Sequence, residues 1–96
     1  MRESRLERHF AKRIKNIGGI SFKFVSPGTA GVPDRIVLYS GCTYFVELKT
    51  TSAITKLQQK VHQLFRSKGV DVRIIRTYQQ IEDFLNEITQ LSADGS

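Results

Sequence analysis

The chain has 96 residues, enough for one domain with one modest core, and its 40% hydrophobic and 25% charged residues make an ordinary globular balance. Its formal net charge of +6 points to a polyanionic partner, nucleic acid before membrane. No apolar stretch approaches the roughly 20 residues that cross a bilayer. The start, MRESRLERHF, lacks the apolar core of a signal peptide, and the lone Cys42 excludes a disulfide framework and a Cys-based zinc site.

Taken in order, residues from about Glu3 to Ile17 read as an amphipathic helix. Leu6, Phe10, Ile14 and Ile17 fall on one stripe, and Gly18-Gly19 stops it. Arg5, Arg8, Lys12 and Lys15 lie on the opposite side. Glu7 borders the apolar stripe, and the residues three and four positions away offer it no cation. If Glu7 forms a simple ion pair, its partner comes from elsewhere in the fold. His9 falls on the flank, away from Glu7.

Ile20–Val25 reads as a first strand. Ser26–Val32 (SPGTAGV) is a loop by its Pro, Gly and small polar residues. A Gly-rich loop of this kind lets a phosphate backbone approach closely, which makes Ser26 and Gly28 candidate contacts.

Two apolar runs follow, Arg35–Tyr39 and Thr43–Leu48, broken by Ser40-Gly41. They read as a β-hairpin. If Ser40 and Gly41 are the two loop residues, Asp34 faces Glu47, and Lys49 lies on the same face of its strand two residues on. Two carboxylates so placed repel each other unless a cation lies between them. Mg²⁺ suits the pair, since it takes oxygen ligands and keeps several waters. The alternative is an ordinary Asp–Lys–Glu surface network. Cys42, just after the turn, reads as a small residue.

Thr55-Lys56-Leu57-Gln58 fits a capping box opening a helix to about Lys68. Leu57, Val61, Leu64 and Phe65 form its expected apolar face. His62 lies on the side of Gln58 and reads as structural or surface, with no local partner. Val70–Arg76 is a fourth strand. A last helix starts at Thr77 or Tyr78, with Ile81, Phe84, Leu85, Ile88 and Leu91 on its buried side. The crossover between the third and fourth strands sets those two parallel. The expected fold is α/β, in the order αβββαβα: a mixed four-stranded sheet flanked by helices, in a single domain spanning 1–91, with a loose tail at 92–96.

GVPDR, then FVELK, then TKLQ, with ESRLE in the first helix and FKFVSPGTAG before the proline, resemble the VRR-NUC branch of the PD-(D/E)XK nucleases. The likeness covers about residues 2–85; the literal VRR tripeptide is VRI here, at Val72-Arg73-Ile74. The resemblance implies a restriction-endonuclease-like fold. It also implies metal binding at Asp34 and Glu47 with the Leu48 carbonyl, a catalytic Lys49, Glu7 as the first-helix glutamate near the metal, and Gln58 reaching back to the centre. It further implies a Mg²⁺-dependent DNA endonuclease, with Mn²⁺ able to replace Mg²⁺. The short stand-alone form resembles phage and bacterial members, which implies a homodimer resolving four-way (Holliday) junctions.

Arg5, Arg8, Lys12, Lys56 and Lys60 are candidate phosphate contacts. Two other readings stay open: a nuclease for other branched DNA, and a basic nucleic-acid-binding module without catalysis. The expected location is the cytoplasm of a bacterium or a phage-infected host.

Overall fold

The computed structural model describes the chain from Met1 to Gly95, with side chains through Ala93. Its elements are α1 (Glu3–Asn16), β1 (Ile20–Lys23), β2 (Arg35–Tyr39), β3 (Cys42–Leu48), α2 (Lys56–Ser67), β4 (Asp71–Ile75) and α3 (Tyr78–Gly95). This is the expected αβββαβα order. The strands form one sheet in the order β1-β2-β3-β4. β1–β2 and β2–β3 are antiparallel, and β3–β4 is parallel across the helical crossover.

The hairpin register follows from its turn. Arg35 pairs with Val46 and Tyr39 with Cys42, which leaves Ser40 and Gly41 as the two loop residues. Their φ values, 50° and 79°, are both positive, as a type I′ turn requires, and that turn matches the twist of the strands. Extending the pairing one step brings Asp34 opposite Glu47.

Side chains alternate across the sheet. Val37, Tyr44, Val46, Leu48 and Ile75 meet Leu6, Phe10 and Ile14 of α1 and Ile81, Phe84, Leu85 and Ile88 of α3 in one closed core. Phe45 and Glu47 point the other way, towards α2. There Phe45 meets Phe65 edge to face at 5.2 Å, and Phe24 meets Phe45 at 5.3 Å.

Three expectations about burial need correcting. Leu57 and Leu64 of α2 are 50% and 58% exposed, and the residue that α2 buries is His62. The helix is turned so that Gln58 and His62 meet the sheet, because a buried carboxylate lies beneath them. That face is only partly covered: Ile20, Phe22 and Leu38 remain exposed. Finally, α3 runs past the expected end to Gly95, leaving Leu91 exposed. The Ser92 hydroxyl meets that of Ser40 at 2.7 Å, so the expected tail is helical through Gly95, while Ser96 lies outside the described residues.

Candidate active site

The site is assembled where β2 begins and β3 ends, between the first turns of α1 and α2. Pro33 is buried and leads Asp34 into β2. Asp34 Oδ1 accepts a hydrogen bond from the Leu48 N–H at 3.3 Å, which pins the carboxylate to the end of β3. Glu47 is 4% exposed. Gln58 Nε2 lies 3.5 Å from Glu47 Oε2, and His62 Nε2 lies 3.6 Å from Glu47 Oε1.

Gln58 reaches that position because the capping box holds it. Its backbone N–H donates to Thr55 Oγ1 at 3.1 Å, and its Oε1 accepts from the Thr55 N–H at 2.9 Å. The same amide then has its NH₂ free to face Glu47. One side chain therefore both closes the capping box and faces Glu47. Gly31 lets α2 come close. A Cβ there would sit 3.1 Å from the Leu57 carbonyl oxygen and from Val61, and its φ of +89° suits glycine.

The electrostatics mark a crowded acidic pocket. Burial pushes the Asp34 carboxyl up to about 6; the Leu48 N–H opposes this, Glu7 adds to it, Arg35 opposes it and Glu3 adds to it. Burial pushes Glu47 up to about 7, the Asp34 charge adds to this, and Lys49 opposes it. Lys49 is thus close enough for its charge to act on Glu47, as the strand alternation requires. His62 is pushed down by burial and by the charge of Arg66.

The donor set fits a hard divalent cation. Among the described residues no group of three or more His, Cys, Asp or Glu side chains is arranged to hold a metal. Two crowded carboxylates are what Mg²⁺ takes from a protein when waters complete its shell. One oxygen, Glu47 Oε1, is buried with no hydrogen-bond partner, an open acceptor inside the acidic pocket.

Glu7 finds a cation from elsewhere in the fold: Arg35 Nη2 lies 3.9 Å from Glu7 Oε2. Its charge still reaches Asp34. Glu3 was not singled out from the sequence, yet its charge acts on both Asp34 and Glu47. The available signal was its place one helical turn before Glu7. His62 is buried rather than at the surface, and its ring faces Glu47.

The basic candidates fall in separate places. Arg5, Arg8 and Lys12 line a cleft with His9 and Tyr78, whose rings meet at 4.4 Å. Lys56 and Lys60 are exposed on α2, and Gly28 is exposed in the loop with φ +83°. Ser26 is half-buried, its carbonyl accepting from the Thr29 N–H at 3.1 Å. Among the described residues no helix is long and apolar enough to cross a membrane. Cys42 is an exposed free thiol.

No protein-family model matches the sequence. A phage protein named "Putative nuclease p44", from Acyrthosiphon pisum secondary endosymbiont phage 1, is 52% identical over 50 residues. That match covers 51% of this chain and 54% of the relative, so it spans about half the length of either protein. A solved structure described as a VRR_NUC domain superposes with a TM-score of 0.81 at 28% identity, over 88% of this chain and 94% of that one. The resemblance to the VRR-NUC proteins therefore holds in fold over 88% of the chain, and separately about half of the chain is similar in sequence to a phage protein named as a putative nuclease.

Proposed function

We propose that this chain is a metal-dependent DNA endonuclease that hydrolyses phosphodiester bonds in branched DNA, with four-way junctions as the leading substrate. The observation that carries the reading is the Asp34–Glu47 pair, half-buried at Asp34 and buried at Glu47, crowded, and within reach of the Lys49 charge. The VRR_NUC likeness and the phage relative named as a nuclease support the same reading.

In this reading Asp34, Glu47 and the Leu48 carbonyl hold Mg²⁺, or Mn²⁺ in its place. When bound, the cation neutralises the scissile phosphate and makes a water more acidic. Lys49 donates to that water or to the charge developing on phosphate oxygen. Glu7 and Glu3 border the centre, where their charges favour retention of a cation. Gln58 fixes the Glu47 carboxylate. Arg5, Arg8, Lys12, Lys56 and Lys60, with the loop around Ser26 and Gly28, contact the DNA backbone. The protein would act in the cytoplasm of a bacterium or a phage-infected host.

A homodimer suits a substrate with approximate two-fold symmetry, because a C₂ pair supplies two equivalent sites. The exposed apolar residues Ile20, Phe22 and Leu38, beside the outer edge of β1, support a second copy as the occupant of that face. Light scattering should then give a dimer for the parent and a monomer for Phe22→Lys.

The deciding experiment incubates the protein with four-way, flap and linear duplexes, with and without Mg²⁺. Mg²⁺-dependent cutting of the junction alone is the expected result. Equal cutting of all three would end the junction assignment but leave a nuclease. Tight binding with no cutting, with or without Mg²⁺, would leave the basic binding module.

A further inference from the structure

The second turn of α2 places a buried imidazole against the proposed metal carboxylate. His62 is 1% exposed and Glu47 4%. His62 Nε2 and Glu47 Oε1 are 3.6 Å apart, just beyond hydrogen-bond length. Oε1 and both ring nitrogens have no partner among the described residues. Buried polar atoms left in that state are costly to the fold. A shift of about half an ångström closes the Nε2–Oε1 gap into a hydrogen bond. Gln58, one turn earlier on the same helix side, approaches the other oxygen, Oε2. The two side chains therefore bracket one carboxylate from a single rigid element.

We propose that His62 is a positioning residue for Glu47. Its Nε2–H holds Oε1 while Gln58 holds Oε2, so α2 fixes the carboxylate before a cation arrives. The inference rests on the metal-site reading above. It requires only the neutral tautomer with the proton on Nε2. Groups that hold a metal-binding carboxylate typically change metal affinity by about 10–100-fold when lost.

The test is Mn²⁺ titration of the chelator-stripped full chain, followed by calorimetry or electron paramagnetic resonance, with circular dichroism as the check on folding. His62→Leu should stay folded and bind Mn²⁺ about 10–100-fold more weakly. His62→Gln, whose amide can still donate to Oε1, should recover most of that affinity. A folded Leu variant that binds as tightly as the parent overturns the inference, and so does a Gln variant no better than Leu. If His62→Leu does not fold, His62→Gln and His62→Asn decide. Only Gln has the reach to donate to Oε1, so equal affinity in those two overturns the inference. A parent chain that binds no Mn²⁺ overturns the metal reading itself, and the inference falls with it. That result is distinct from a parent that binds and a Leu variant that binds equally.

Discussion

The two faces of the sheet are built from the same strands and do opposite things. On the face towards α1 and α3, Val46 and Leu48 are fully buried among apolar neighbours. On the face towards α2, the intervening Phe45 and Glu47 meet a thinner cover, with Leu57 and Leu64 left in water. Burial on the first face is apolar and closes the core. Burial on the second desolvates charge, which pushes Asp34 and Glu47 up to about 6 and 7. The strand period of two lets one seven-residue strand serve both purposes. One face holds the fold, and the other holds an energetically costly arrangement that the fold supports.

The sharpest way to break this division is to remove charge from the α2 face. Asp34→Asn should lower Mg²⁺-dependent cleavage by more than about 1,000-fold, beyond the about 10–100-fold typical of groups that only support a ligand. The thermal midpoint of the metal-free variant should hold or rise. A variant that cuts normally would move the centre away from Asp34.

Next comes truncation on each side. Leu6→Ala, in the closed core, should cost about 2–5 kcal/mol in denaturant unfolding. Leu64→Ala, on the exposed side of α2, should cost under about 0.5 kcal/mol in a monomer. Similar losses at both sites would mean that α2 is packed as tightly as the core.

The smallest effect concerns pH. Both site carboxyls are raised in the folded chain, so their contribution favours folding at low pH. It is lost as pH rises from about 4 through about 6 for Asp34 and about 7 for Glu47. Glu47→Gln removes one of them. In chelator, its midpoint should match the parent's near pH 4.5 and exceed it at pH 8, at about 4–8 °C per kcal/mol for a domain of this size. Mg²⁺ should narrow the gap by stabilising the parent. A difference that stays flat across pH would show that Glu47 is not strained by its surroundings.

Much of this arrangement was legible in local rules. Ser40-Gly41 fixed the register because few residue pairs take two positive φ values, and register then placed Asp34 opposite Glu47. Thr55 and Gln58 announced a capping box that formed as read. The rotation of α2 was not legible. Its apolar periodicity centres near Leu57, Val61 and Leu64, but the observed buried side is turned by roughly 60° towards Gln58 and His62, counting 100° per residue. The reason is tertiary: Glu47 lies beneath, and a helix stripe cannot reveal a polar partner on a strand. Glu3 was missed for a similar reason, since its effect on the pocket depends on how the first turn of α1 meets the ends of β2 and β3.

Gln58 gives this arrangement an observable handle. Its main-chain amide is tied to Thr55 Oγ1 while its side-chain amide faces Glu47. Any opening that unwinds the first turn of α2 exposes that amide to deuterium and, in the same event, withdraws the side chain from the carboxylate. Exchange at one proton thus reports how often the pocket lets go of its own acid, and a bound cation should slow it.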